Sequence, residues 1–99
     1  MDLGGLDYAH MAMRYYIETL RRLPYDDYLR TSHWQRKRAA KLRQARYRCE
    51  CCGYPYSLEV HHTDAAYKNR GCEPLAELVT LCRRCHRNEH GGINDYRAN

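Results

Sequence analysis

The first quarter of the chain carries apolar residues at helical spacing. The residues that recur three or four positions apart, and so share one helical face, are Met13, Tyr16, Leu20 and Leu23. Asp7 is suited to cap the start of a helix, and Pro24 is a natural stop just beyond its end. The pattern predicts an amphipathic helix over residues 8–22. Its apolar face packs on the rest of the domain or, alternatively, binds a partner.

A second helical segment follows a short connector, and its surface is strongly basic. Thr31 or Ser32 can cap its start, and it runs to about Ala45 through residues that are good helix formers. Its apolar stripe is narrow and consists of Trp34, Leu42 and Ala45. A charge run of this kind is typical of a solvated face or of a surface that contacts phosphates.

Beyond Arg48 the pattern changes to short elements. In chain order these are a tight turn at Cys49–Gly53, a strand at Ser57–His62, an apolar stretch at Leu75–Leu81 and a short helix at Cys82–His90. The glycine pair at 91–92 ends that helix, and residues 93–99 form a tail.

Composition and charge add two constraints. The chain has 99 residues, which indicates one domain with a limited core that benefits from a metal or disulfide staple. Its formal net charge is +5, and no acidic residue occurs from Leu29 to Arg48, so a polyanionic partner is favoured. The residues predicted to contact nucleic acid are Arg36, Lys37, Arg38, Lys41, Arg43 and Arg46.

The six cysteines need an explanation in so short a chain. The start Met1–Gly5 lacks the basic and apolar regions of a signal peptide, and no apolar run approaches membrane-spanning length. We therefore expect a cytoplasmic protein without membrane contact. In such a reducing setting, paired cysteines usually bind metal.

Four of the cysteines form two C-x-x-C pairs, which are Cys49 with Cys52 and Cys82 with Cys85. This spacing lets a turn aim both sulfurs at one ion, and two such turns complete a tetrahedral structural zinc site. Disulfides or redox chemistry are the alternatives. Cys51 and Cys72 are left over, and we interpret them as spare thiols, although Cys51 could compete for the ion.

Four histidines lie between or shortly after the two cysteine pairs, namely His61, His62, His86 and His90. The first two end the predicted strand, and the last two lie four residues apart on one face of the predicted helix. Since the cysteines satisfy the zinc, these imidazoles can supply a second metal site and a general base.

The segment from Arg46 to His90 resembles the HNH endonuclease family. The motifs that carry the resemblance are Cys49-x-x-Cys52-Gly53, Val60-His61-His62 and Leu78-Val79-x-Leu81-Cys82-x-x-Cys85-His86. The upstream stretch Tyr28-Leu29-Arg30-x-x-His33-Trp34 also resembles the lead-in of small phage and bacterial members. The resemblance implies an α+β fold, with a small zinc-stabilised ββα-metal core of treble-clef type and N-terminal helices.

The resemblance also implies roles for the residues at matching positions. His62 matches the general base that takes a proton from the attacking water. His61 and His86 match ligands of one catalytic divalent cation, Mg²⁺ or another, and His90 matches a third metal histidine of the colicin-type branch. This cation would stabilise the pentacovalent phosphate and the leaving 3′ oxygen.

One position departs from the family pattern. Glu77 stands just before Leu78-Val79, where the motif has its middle Asn. A carboxylate accepts hydrogen bonds and binds cations but cannot donate. Glu77 could therefore orient His62, ligate the catalytic metal or mark a degenerate site.

The sequence predicts a metal-dependent DNA endonuclease, with a non-catalytic, zinc-binding nucleic-acid-binding module as the alternative. We expect one domain in which an N-terminal helix (1–28), a basic helix (29–48), an HNH core (49–92) and a tail (93–99) follow one another. DNA is the expected partner. The expected setting is a bacterial or phage-infected cell, where a phage packaging or other DNA-processing protein could be a second partner.

Overall fold

The structure is a computed structural model that describes the backbone of residues 4–91 and the side chains of residues 9–88. The helices are α1 (Gly4–Arg22), α2 (Tyr25–Leu29), α3 (Ser32–Gln44), α4 (Asp64–Lys68) and α5 (Arg83–Gly91). The strands are β1 (Leu58–His62) and β2 (Leu78–Cys82), and a 3₁₀ turn at Leu75–Glu77 leads into β2. The predicted α+β class is confirmed.

Helix α1 packs on the rest of the molecule only through its C-terminal end. Leu20 is buried, Ile17 packs against Gly71, and the ring of Tyr16 lies edge to face with that of His33. Met13, by contrast, is 58% exposed. The predicted apolar face therefore packs on the domain from Tyr16 to Leu23, but the prediction is wrong for Met13.

The basic helix α3 begins as the sequence predicted. The hydroxyl of Thr31 accepts a hydrogen bond from the backbone N–H of Trp34 at 3.1 Å, so Thr31 is the cap and Ser32 the first helical residue. The connector before it is the short helix α2, with Asp26 and Asp27 in its first turn, where the helix dipole favours acidic residues. Thr31 and Trp34 thus set the direction in which α3 crosses the sheet.

Strands β1 and β2 pair antiparallel and form the whole sheet in the described part of the chain. Leu58 lies opposite Cys82, and His62 lies opposite Leu78. Because successive side chains of a strand point to opposite faces, this register places His61 and His62 on different sides of the sheet. Helix α4 lies in the connection between the strands, where Thr63 caps it by accepting from the N–H of Ala66.

The buried residues form two separate clusters. One cluster joins the N-terminal helices to β2 and contains Leu20, Tyr28, Trp34, Ala66 and Leu78. The other surrounds the zinc ligands and contains Cys49, Leu81, Cys82 and Cys85. Each cluster is small, which agrees with a domain that relies on a metal staple. No helix in the described residues is both long enough and apolar enough to cross a bilayer.

Candidate functional site

The four cysteines predicted to bind zinc come together. Their sulfur atoms all lie within 4.8 Å of one another, and the sulfurs of Cys52 and Cys82 are 3.8 Å apart. A tetrahedral site with Zn–S bonds of about 2.3 Å has sulfurs roughly 3.8 Å apart. The donor set and its spacing therefore fit structural zinc, with Cys49, Cys52, Cys82 and Cys85 as ligands.

Local backbone geometry shapes each half of this centre. Gly53 takes φ +82° and donates its N–H to the carbonyl oxygen of Cys49 at 2.8 Å, which closes the first turn. Burial opposes ionisation of Cys49, but the N–H groups of Cys51 and Cys52, each 3.4 Å from its sulfur, help lower the pKa of this thiol to about 6. The turn therefore favours the thiolate form of Cys49, which is the form that binds metal.

The two remaining cysteines lie outside this centre. Cys51 and Cys72 are both exposed and neither belongs to the four-sulfur group. Cys72 accepts a weak hydrogen bond from the guanidinium of Arg21 at 3.4 Å. Their interpretation as spare thiols remains a prediction.

On one side of the sheet, the imidazoles of His61 and His86 face each other. Nδ1 of His61 lies 3.2 Å from Nε2 of His86, and the carboxylate of Glu59 accepts a hydrogen bond from Nδ1 of His86. Two ligands about 2.0–2.1 Å from one ion lie roughly 3 Å apart. A carboxylate on the outer nitrogen is a common way to orient a metal-binding histidine. These residues fit a second metal site.

His62 lies on the other side of the sheet, with both ring nitrogens hydrogen-bonded. Nδ1 is 2.7 Å from the hydroxyl of Tyr25, and Nε2 is 2.8 Å from a carboxylate oxygen of Glu73. The ring of Trp34 covers its face at a centroid distance of 4.4 Å. The side chain is 4% exposed, so this imidazole is held in a single orientation.

Glu73 is the residue that sequence reasoning missed. Its carboxylate is fully buried and also accepts a 2.6 Å hydrogen bond from the hydroxyl of Tyr28. Burial raises the pKa of Glu73, but hydrogen bonds from His62 and Tyr28 outweigh burial and lower it below the usual 4.5. No feature of the sequence singles out Glu73 over Glu77, four residues further on.

Glu77, which the sequence offered as the residue that orients His62, contacts other groups. Its carboxylate accepts from the side-chain amide of Asn69 at 2.9 Å, and its backbone oxygen accepts from the hydroxyl of Thr63 at 2.8 Å. The structure places Glu73, and not Glu77, against the ring N–H of His62. Glu77 instead ties α4 to the start of β2.

Three of the four predicted site histidines, His61, His62 and His86, line one cleft of about 640 Å³. The residues that line it include Tyr25, Trp34, Arg38, His61, His62, Asp64, Tyr67 and His86. The cleft therefore brings the paired imidazoles of β1 and α5 together with the oriented ring of His62. His90, predicted as a third metal ligand, has a side chain outside the described residues.

The predicted phosphate-contacting residues divide into two groups. Arg36, Arg43 and Arg46 are exposed, and Arg38 lines the cleft. Lys37 donates to the backbone oxygen of Glu73 at 2.7 Å. Lys41 is only 3% exposed because its ammonium bonds to Gln44 and pairs with Glu50. The prediction that Lys41 contacts phosphate is therefore wrong.

Comparison with known proteins adds an independent observation. Residues 49–92 match the model of the HNH endonuclease family. We call this part the HNH segment. It contains the cysteine centre, both strands, Glu73 and His86, whereas α1, α2 and α3 precede it. No curated protein and no solved structure matches the chain significantly. The HNH match indicates an activity on nucleic acid for this segment.

Proposed function

We propose that the protein is a metal-dependent endonuclease that hydrolyses phosphodiester bonds in DNA. One observation carries the proposal above all others. Two imidazole nitrogens 3.2 Å apart share a cleft with a third, rigidly oriented imidazole. An HNH segment that only bound nucleic acid would have no use for this arrangement.

His61 and His86 are the residues that would hold a divalent cation, with Glu59 orienting His86. Such an ion supplies charge stabilisation to the phosphate and to the leaving 3′ oxygen when it is bound. Imidazole ligands suit transition metals better than Mg²⁺, which prefers carboxylate and water oxygens. We therefore expect Mn²⁺ to support cleavage better than Mg²⁺.

His62 is the proposed general base, and its hydrogen bonds define its protonation. The ionised carboxylate of Glu73 accepts from Nε2–H, which leaves the lone pair of Nδ1 to accept from the hydroxyl of Tyr25. Burial is the largest of the effects that raise the pKa of Tyr25 to about 12, so its hydroxyl stays protonated near neutral pH. Nδ1 of the base therefore points at the hydroxyl of Tyr25, and Tyr25 lines the cleft.

This arrangement gives the proton a path from water to the base. Because the His62 side chain is 4% exposed, we place Tyr25 between the ring and the attacking water. Water passes a proton to the oxygen of Tyr25 while Tyr25 passes its own proton to Nδ1 of His62. The resulting hydroxide attacks phosphorus as the bond to the 3′ oxygen breaks, and the leaving 3′ oxygen takes a proton from solvent water, which gives a 5′-phosphate and a 3′-hydroxyl. Arg36, Arg38 and Arg43 would hold neighbouring phosphates.

A plasmid-nicking assay tests this function. Zinc-loaded protein is incubated with supercoiled DNA and added Mn²⁺ or Mg²⁺, alongside the His62→Ala variant. His10→Ala, an exposed histidine of α1, is the matched control. We expect nicking by the wild type and the control, and at least a 100-fold lower rate for His62→Ala with DNA binding retained, which is the usual size of a general-base effect. Equal nicking by His62→Ala would refute the assignment.

One observation favours the alternative, a non-catalytic module that binds nucleic acid. Both nitrogens of His62 are hydrogen-bonded within the protein, as a purely structural histidine would be. In that case the protein binds DNA but cuts none of the substrate forms, with any added divalent cation. The same assay therefore decides between the two functions.

A further inference from the structure

A second concave surface borders α5. Three arginines, Arg83, Arg84 and Arg87, line a groove of about 410 Å³ together with Tyr54, Ser57 and two of the proposed zinc ligands, Cys52 and Cys82. None of its lining residues belongs to the cleft that holds His61 and His62. We call it the arginine groove.

The arginines form one continuous charged face. With 3.6 residues per turn, Arg83, Arg84 and Arg87 fall within a sector of about 100° on α5, beginning about 60° from His86. All three are exposed. None of them forms an ion pair with any side chain that the structure describes. No carboxylate lines the groove.

This charge pattern is unfavourable for the isolated domain. Arg83 and Arg84 occupy the first turn of α5, where the helix dipole disfavours cations, and the first turn has no acidic residue. Like charges three or four residues apart, as in Arg84 with Arg87, also destabilise a helix. An anionic ligand across this face would remove both penalties. The pattern therefore points to a polyanion.

Two tyrosines beside the arginines identify the kind of polyanion. Tyr54 lines the groove and is 52% exposed, and its neighbour Tyr56 is 67% exposed. Their rings meet edge to face, 5.7 Å apart, which leaves broad aromatic faces in solvent. Guanidinium groups next to exposed aromatic faces suit a nucleic-acid strand, since phosphates pair with arginine and unpaired bases stack on tyrosine.

We infer that the arginine groove binds the nucleic-acid strand that flanks the scissile phosphate, with an unpaired base on Tyr54. This inference rests on the proposed nuclease function and adds a second substrate-binding surface to it. Because α5 carries His86 toward the cleft and the arginines toward the groove, a strand that crosses this helix contacts both. We expect tighter binding to duplexes with a single-stranded tail than to blunt duplexes.

The test is the salt dependence of binding. Fluorescently labelled blunt and tailed duplexes are titrated with zinc-loaded protein without added catalytic metal, and fluorescence anisotropy reports binding. The double variant Arg84→Gln/Arg87→Gln is compared with Arg14→Gln/Arg22→Gln, which removes the same charge from exposed positions on α1. Each lost phosphate contact lowers the slope of log Kd against log salt by about 0.7–0.9. We expect a fall of about 1.4–1.8 for the groove variant only.

Every outcome bears on the inference. Equal slopes for the two double variants would overturn it while leaving the nuclease function intact. Failure of the wild type to bind either duplex would overturn both. Tyr54→Ala should weaken binding to the tailed duplex more than to the blunt one, and equal losses would overturn the assignment of the base to Tyr54. Arg84→Lys, which keeps the charge, should keep the slope. Zinc content and circular dichroism confirm that each variant is folded.

Discussion

Replacing Glu73 should strongly destabilise the protein. Its fully buried carboxylate accepts from the hydroxyl of Tyr28 and from Nε2 of His62, both at the same oxygen. A hydrogen bond to a charged group contributes about 1.5–3 kcal/mol. Glu73→Ala removes both and leaves two buried donors without an acceptor, so we expect a loss of about 3–6 kcal/mol. That is a large part of a typical total of about 5–15 kcal/mol.

Glu73→Gln is the matched control for this change. Its amide oxygen can accept both hydrogen bonds, and its NH₂ group takes the place of the carboxylate oxygen that has no partner among the described residues. Each bond falls to about 0.5–1.5 kcal/mol when the charge is lost, and the buried NH₂ group without an acceptor costs about 1–3 kcal/mol more. We expect Glu73→Gln to cost less than Glu73→Ala, because Tyr28 and His62 keep their acceptor. It should also keep most of the catalytic rate, because the amide oxygen still orients His62.

Urea unfolding followed by tryptophan emission measures these losses. Trp34 is the only tryptophan, is 3% exposed and lies on the ring of His62, so its emission reports this site directly. All proteins must be zinc-loaded to the same extent, since zinc also stabilises the fold. If Glu73→Ala unfolds within about 0.5 kcal/mol of the wild type, which is typical of surface substitutions, the buried network does not hold the N-terminal helices to the sheet.

Other predictions concern zinc, the proton path and pH. Removing zinc with a chelator should unfold the HNH segment, and an unchanged circular dichroism spectrum after verified zinc removal would contradict this. The Cys51→Ser variant should still bind one zinc ion per chain. Tyr25→Phe should lower kcat on the order of 100-fold with little change in KM. The control Tyr67→Phe, at a ring 5.2 Å from that of Tyr25, should leave kcat unchanged. A fully active Tyr25→Phe would show that water reaches His62 directly. Because the pKa of Glu73 is lowered in the folded state, its contribution to stability is complete above about pH 4.5 and is lost as the pH falls through the folded value. Glu73→Gln should therefore lose less stability than the wild type in that range, and parallel curves would contradict this.

The zinc ligands could be predicted from the sequence because their geometry is local. A C-x-x-C pair places both sulfurs on one turn, and only the meeting of two such turns needs tertiary structure. The strand at Leu58–His62 and the cap at Thr31 follow similarly from short-range patterns. The neighbouring His61 and His62 could also be assigned to a shared site, because a strand end brings them there together.

Contacts that depend on where the tertiary fold places a loop or a helix could not be predicted. Glu73 reaches His62 only because the loop after α4 folds back over β1, and nothing in the spacing distinguishes it from Glu77. Lys41 falls inside an unbroken basic run, but the tertiary fold places Glu50 beside it. Similarly, the exposure of Met13 depends on which part of α1 contacts the other helices and the loop at Gly71, and helical periodicity does not encode this.

The pairing of β1 with β2 has a consequence for how such a site can change by mutation. Side chains alternate strictly along a strand, so inserting one residue in β1 before His61 would place His61 at the position of His62, in the buried network with Glu73, and would move His62 one position on, to the opposite face. Both imidazoles would survive, yet His61 would no longer face His86. An insertion before the strand, in the exposed residues 54–57, leaves the alternation intact. Length variation is therefore tolerable in the loop but displaces both imidazoles when it enters the sheet.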